Sequence, residues 1–137
     1  MAKILAIDYG NKRTGLAISD SDEKLASRFL TLENRSLKNL IKEIKNIITK
    51  ESIEKIIVGL PIGLKTESEQ TQKTNDFINY LTKETGIPIK KINEVFTSKM
   101  AEKNLRDTGI KREELKKIID QEAARIILQD YLDNKNI

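Results

Sequence analysis

The chain contains neither cysteine nor histidine, and each absence narrows the chemistry open to it. Without cysteine there can be no disulfide, no thiolate nucleophile and no cysteine-based zinc site, and a cytoplasmic address fits. Without histidine there is no Ser-His or Cys-His nucleophile pair, so acid–base work falls to carboxylates, lysines, tyrosines or a metal ion. Tryptophan is missing as well, and aromatic residues make up only 4% of the sequence. No apolar run approaches the length of a membrane span, and the N-terminus carries no signal-peptide pattern, so no membrane partner is expected. What is present is 137 residues, enough for one domain with a proper core, and a formal charge of +4 that suits a polyanionic partner.

The chain is organised around its first twenty residues. Ile4-Leu5-Ala6-Ile7 is a short apolar run of the kind that forms a buried strand, and Asp8 closes it where the chain must turn. Gly10 and Gly15 bracket a polar loop, and Leu16-Ala17-Ile18 is a second apolar run. The pattern predicts a β-hairpin with a carboxylate at the mouth of its first strand. An aspartate at that place has two accounts: it accepts hydrogen bonds from turn amides, or it binds a hard cation such as Mg²⁺ or Mn²⁺. The second account requires further carboxylates at the same place.

The chain order supplies them. Residues 24–33 read as a third strand, completing a meander. Ser36 is a good N-cap for a helix whose stripe is Leu37, Leu40, Ile41, Ile44, Ile47 and Ile48. Lys55 to Pro61 is a fourth strand, β-branched and apolar, so strand, helix and strand make a βαβ unit with the first and fourth strands parallel. In such sheets ligands bind beyond the carboxyl ends of the strands. Thr66 and Glu69 fit a capping box for a helix running through Phe77, Ile78 and Leu81 to Gly86. Residues 87–95 form a fifth strand with Glu94 at its carboxyl end. Thr97 or Ser98 caps a helix ending near Gly109, and a last helix spans about Arg112 to Leu132. On that helix Asp120, Ala123, Ala124, Ile127 and Tyr131 share one face, an unusual setting for an aspartate.

These residues resemble a known family. Asp8-x-Gly10-x-x-Arg13-x-Gly15-Leu16-Ala17-Ile18-Ser19-Asp20, then Val58-Gly59-Leu60-Pro61, Glu94-Val95-Phe96-Thr97-Ser98 and Ile119-Asp120-x-x-Ala123-Ala124 are similar in order and spacing to the blocks of the YqgF/RuvX family. Its members are bacterial nucleases, described as Holliday junction resolvase-like and linked to maturing the 5′ end of small-subunit ribosomal RNA. The resemblance implies an α/β architecture: a ribonuclease H-like fold with a five-stranded mixed sheet flanked by helices. It implies Asp8, Glu94 and Asp120 as catalytic, metal-binding acids, and Mg²⁺ or Mn²⁺ as the cofactor. Two such ions about 3.5–4 Å apart would clamp a scissile phosphate. It further implies substrate contacts from Lys12, Arg13, Thr97 and Ser98, and as partners precursor ribosomal RNA, branched DNA or ribosomal particles. Two departures stand out: Asn93 and Val95 replace the family's Asp and Arg around the glutamate, and Lys65-Thr66 replaces its Asp-Gly. Two rivals remain, a sugar-kinase-like or actin-like ATPase, which needs two such domains, and a non-catalytic RNA-binding factor in ribosome assembly.

Overall fold

The computed structural model describes residues 3–61, 69–94, 97–106 and 109–135, with the backbone alone for Pro61, Glu94 and residues 97–99. The elements run β1 (Lys3–Tyr9), β2 (Arg13–Ser19), β3 (Ala26–Glu33), α1 (Leu37–Glu51), β4 (Ile53–Pro61), α2 (Glu69–Thr85), β5 (Ile89–Glu94), α3 (Thr97–Leu105) and α4 (Arg112–Asn134). β1, β2 and β3 form an antiparallel meander, and β4 and β5 add in parallel on the other side of β1. The order β3-β2-β1-β4-β5 is the expected five-stranded mixed sheet.

Both faces of the sheet are covered, which is why β1 reads as an unbroken apolar run. Leu5 and Ile7 point into a cluster with Leu40, Ile44, Phe77 and Leu81 of α1 and α2. Ile4 and Ala6 point the other way, into a cluster with Ala124, Ile127 and Leu128 of α4. The ring of Tyr9 stacks on Phe77 at 4.3 Å, closing the first cluster near the end of β1. Helix α1 forms where its cap predicts: the Ser36 hydroxyl accepts from the Asn39 amide at 3.1 Å, and Leu40, Ile41 and Ile44 are buried. Ser52 ends it at a φ of 57°, in the left-handed region, with its N–H bonded to the Ile48 carbonyl.

Several boundaries differ from the sequence expectation. β3 begins at Ala26 because the Asp20 carboxylate captures the amides of Lys24 (2.8 Å) and Leu25 (3.3 Å), holding both in a turn. β5 begins at Ile89, since Pro88 has no N–H to give the ladder, although its carbonyl accepts from Ile56 at 3.0 Å. α3 ends at Leu105, and α4 runs to Asn134. Gly86 follows α2 at a φ of 67°, as expected for a C′ glycine. Thr66, and with it the proposed capping box, lies outside the described residues, as does Val95.

Candidate active site

The site is assembled from the turn between β1 and β2 and the middle of α4. Asp8 is the penultimate residue of β1 rather than its last, partly buried, and pairs across the ladder with Gly15. Gly15 lies directly under α4. A methyl group added there would collide with the backbone carbonyl of Asp120, and would stand only 2.8 Å from that residue's Cβ. Gly15 and Ala17 therefore form the flat floor on which the helix rests. The register places Asp8 beside Gly15, and the helix places Asp120 above it, so two acids 112 positions apart both adjoin Gly15 at one end of the sheet.

The loop between the two strands is rigid. The Gly10 amide donates to the Arg13 carbonyl at 3.0 Å, a closure so tight that a Cβ at Gly10 would lie 2.6 Å from that oxygen. Asn34, just past β3, clamps the loop from outside. Its Nδ2 donates to the Gly10 carbonyl at 2.7 Å, and its Oδ1 accepts from the Thr14 hydroxyl at 2.7 Å. Its own backbone N–H donates to the Lys12 carbonyl at 2.9 Å. Lys12, exposed at the tip, and Arg13, at the first position of β2, are thus presented in fixed places.

Arg13 does not point freely into solvent. Its Nε donates to Asp120 Oδ2 at 2.9 Å, tying the loop to α4. Burial pushes the Asp120 carboxyl above the usual carboxylate range, and the hydrogen bond and charge of Arg13 only partly offset this. A half-buried carboxylate with one cationic partner keeps a demand for further positive charge. Hard oxygen donors of this kind suit Mg²⁺ or Mn²⁺.

The remaining expected residues are placed by their backbones. Glu94 is the last residue of β5 and stands opposite Pro61 in the ladder; Thr97 and Ser98 open α3. Their side chains lie outside the described residues. Among the described residues no group of three or more carboxylates is close enough to hold a metal ion.

Two residues escaped the sequence reading. Asn34 follows β3 with no periodic or motif signal. Glu122 is buried at 6% exposure on α4, receiving Arg125 Nε at 2.6 Å, Arg125 Nη2 at 2.8 Å and Asn104 Nδ2 of α3 at 3.0 Å. Burial alone pushes its carboxyl up, but the bonds from Arg125 and Asn104 and the neighbouring arginine charges outweigh it, and the group titrates below the usual range. A Glu-x-x-Arg spacing at i, i+3 was the available signal, though it is common on exposed faces.

Comparison with known proteins follows the same outline. Residues 2–134 match the RuvX family, described as "Holliday junction resolvase". A protein of Bacteroides fragilis named "Putative pre-16S rRNA nuclease" is 36% identical over 141 residues, covering 100% of both chains. One of the same name from Chloroflexus aurantiacus is 37% identical over 131 residues, 95% of this chain and 86% of that one. Among solved structures, T. thermophilus RuvC in complex with a Holliday junction substrate superposes with a TM-score of 0.60 at 11% identity, covering 99% of this chain and 96% of that one. The fowlpox virus resolvase bound to junction DNA gives 0.57 at 17% identity, with coverages of 97% and 98%. At such identities these structures speak for the fold, which is ribonuclease H-like.

Proposed function

The chain belongs to the RuvX family, and from that premise we propose that it is a Mg²⁺- or Mn²⁺-dependent nuclease that hydrolyses phosphodiester bonds in precursor 16S ribosomal RNA. The observation that carries the proposal is the seating of Asp120 on Gly15, beside Asp8, at the carboxyl end of β1. A glycine floor under a half-buried aspartate is hard to account for by packing alone, and it sets two acids at one sheet edge, where ligands bind in parallel sheets. Within this proposal Asp8, Asp120 and Glu94 hold the divalent ions. When bound, such ions supply a water of lowered pKa as nucleophile and stabilise the leaving oxygen.

The chain's own residues do the rest. Lys12 stands at the tip of the clamped loop and takes a backbone phosphate. Arg13 orients Asp120 and partly offsets its charge; with cations present, its guanidinium is available to the phosphate on the same side. Thr97 and Ser98, the first residues of α3, complete the phosphate contacts of this proposal through first-turn amides. The chain has no arginine at position 95, so the loop pair Lys12 and Arg13 carries more of the phosphate contact. Such contacts position a strand without reading its sequence. Among the described residues no helix is long and apolar enough to cross a membrane, and we place the enzyme's work in the cytoplasm, on ribosomal precursor particles.

The test is purified protein with Mg²⁺, Mn²⁺ or excess EDTA, offered precursor ribosomal RNA, an unrelated single-stranded RNA and a four-way DNA junction in parallel. Cleavage of the precursor that EDTA abolishes, and that Asp8→Asn and Asp120→Asn each lose, is the expected result. Undiminished cleavage in EDTA would overturn the metal mechanism. Preference for the junction would move the substrate to branched DNA, and tight RNA binding without cleavage would make the chain an assembly factor.

A further inference from the structure

A concave surface of about 470 Å³ lies between the β1–β2 loop, the turn after β3 and the first turns of α4. Five cations line it: Lys12, Arg13, Arg35, Lys116 and Lys117, against Glu33 and Glu113. A second hollow of about 420 Å³ shares Arg13, Glu33, Arg35 and Lys117 and carries the groove on towards the start of α1. One end of this groove is Arg13, which is bonded to Asp120. We propose that the groove binds the sugar–phosphate backbone of the RNA flanking the scissile bond, leading it from the acid site across Arg13 to Arg35. This rests on the nuclease reading above.

Three features support the assignment. First, the cations outnumber the acids, Glu33, Glu113 and Glu43, and among the described residues Arg13 alone of the five forms an ion pair, with Asp120 of the site itself. Four unpaired cations held along one groove repel each other, and a polyanion relieves that repulsion. Second, the walls are preset. Asn34 clamps the loop that carries Lys12 and Arg13, and the Thr31 hydroxyl donates to the Lys117 carbonyl at 2.6 Å, fixing the start of α4 to β3. Binding then costs little ordering of the backbone. Third, the lining holds no aromatic ring on which a base could stack. The Asn34 side chain, which could read a base edge, is already engaged at both ends. The groove therefore favours phosphate contacts over base stacking.

Another basic hollow, of about 650 Å³, lies beside β5 and the end of α4 and is the natural competitor. Two of its three lysines, Lys90 and Lys135, have partners; Lys91 forms no ion pair among the described residues. Lys90 and the neighbouring Lys55 lie over the Tyr131 ring at 5.2 and 5.6 Å, and Lys55 also donates to the Tyr131 hydroxyl at 3.0 Å. Lys135 pairs with Glu23 at 3.2 Å, and Asp130 adds a negative charge to the lining. The first groove has more cations in its lining, five against three, and through Arg13 it adjoins Asp120.

The experiment measures binding rather than cleavage. A fluorescein-labelled single-stranded RNA is titrated in EDTA across a series of KCl concentrations, with anisotropy as the readout. The proteins are the parent, the triple variant Arg35→Ala, Lys116→Ala, Lys117→Ala, and the control Lys90→Ala, Lys91→Ala. Loss of three phosphate contacts on a single strand lowers the slope of log K against log salt by about two. That drop in the triple variant, with its melting temperature kept and with no drop in the control, is the expected result. An unchanged slope in the triple variant, or the drop appearing in the control instead, overturns the groove. The nuclease reading fails separately: cleavage that persists in EDTA or in Asp8→Asn sinks that reading, while the salt slope still decides the groove.

Discussion

Gly15→Ala is the substitution that most directly tests how the site is put together. Gly15 does not adopt a positive φ, so alanine meets no backbone penalty there, and stiffening the unfolded chain favours alanine by about 0.4–1 kcal/mol. Against this stands the collision with the Asp120 backbone. The obstacle is a peptide group in the middle of the 23-residue helix α4, so no side-chain rotation relieves it. Inserting a methyl into a filled core costs about 1–3 kcal/mol, and a rigid neighbour puts the cost at the upper end of that range. The net loss is about 2–2.5 kcal/mol, at roughly 4 °C in melting temperature for each kcal/mol at this chain length. Relief comes only if α4 lifts off β2, which carries Asp120 away from Asp8 and breaks its 2.9 Å bond to Arg13. Cleavage should therefore fall far more than the folded fraction does, even well below the melting temperature. Thermal unfolding followed by circular dichroism, together with a Mg²⁺-dependent cleavage assay at a temperature where both proteins are fully folded, measures the two effects apart. A variant with parental melting and parental activity would refute the close seating of α4 on Gly15.

Glu122→Gln tests the tie between α3 and α4. Because the folded-state pKa of Glu122 lies below its ordinary value of 4.5, its stabilisation is fully present above that pH and is lost as the pH falls through the folded value. The parent should lose stability on acidification more steeply than the variant, as read from urea midpoints at neutral pH and below 4.5; parallel pH profiles would rule the contribution out. Ser36→Ala removes the N-cap of α1 and should cost about 1 kcal/mol in urea unfolding; an unchanged midpoint would show that the cap does not stabilise the helix. Asn34→Ala removes two side-chain hydrogen bonds from the β1–β2 loop, about 1–3 kcal/mol in all. It should also weaken RNA binding at low salt by releasing Lys12, and unchanged affinity would show that the clamp does not serve the substrate.

Much of the molecule follows from local pattern. The continuous apolar runs at Ile4–Ile7 and Ile56–Val58, the Ser36 cap and the stripe of α1 each announce their element, because a strand buried on both faces and an amphipathic helix leave different periodicities. The odd position of Asp120 on a small-residue face was likewise visible in one dimension. Its reason was not. That Gly15 is a floor, that Asp20 delays β3 by capturing two amides, and that Asn34 clamps a loop more than twenty positions earlier are contacts between residues distant along the chain. Nor does α4 carry the simple apolar stripe that would mark its packing, because it is covered by the sheet on one side and by α3 on another. Glu122 sits in that second contact, where Arg125 and Asn104 make burial of a carboxylate affordable. Residue types and their spacing determined which elements form and which acids were available. The sheet register and the close approach of α4 decided which of those acids share a place, since only packing in three dimensions sets positions 8 and 120 on the same glycine.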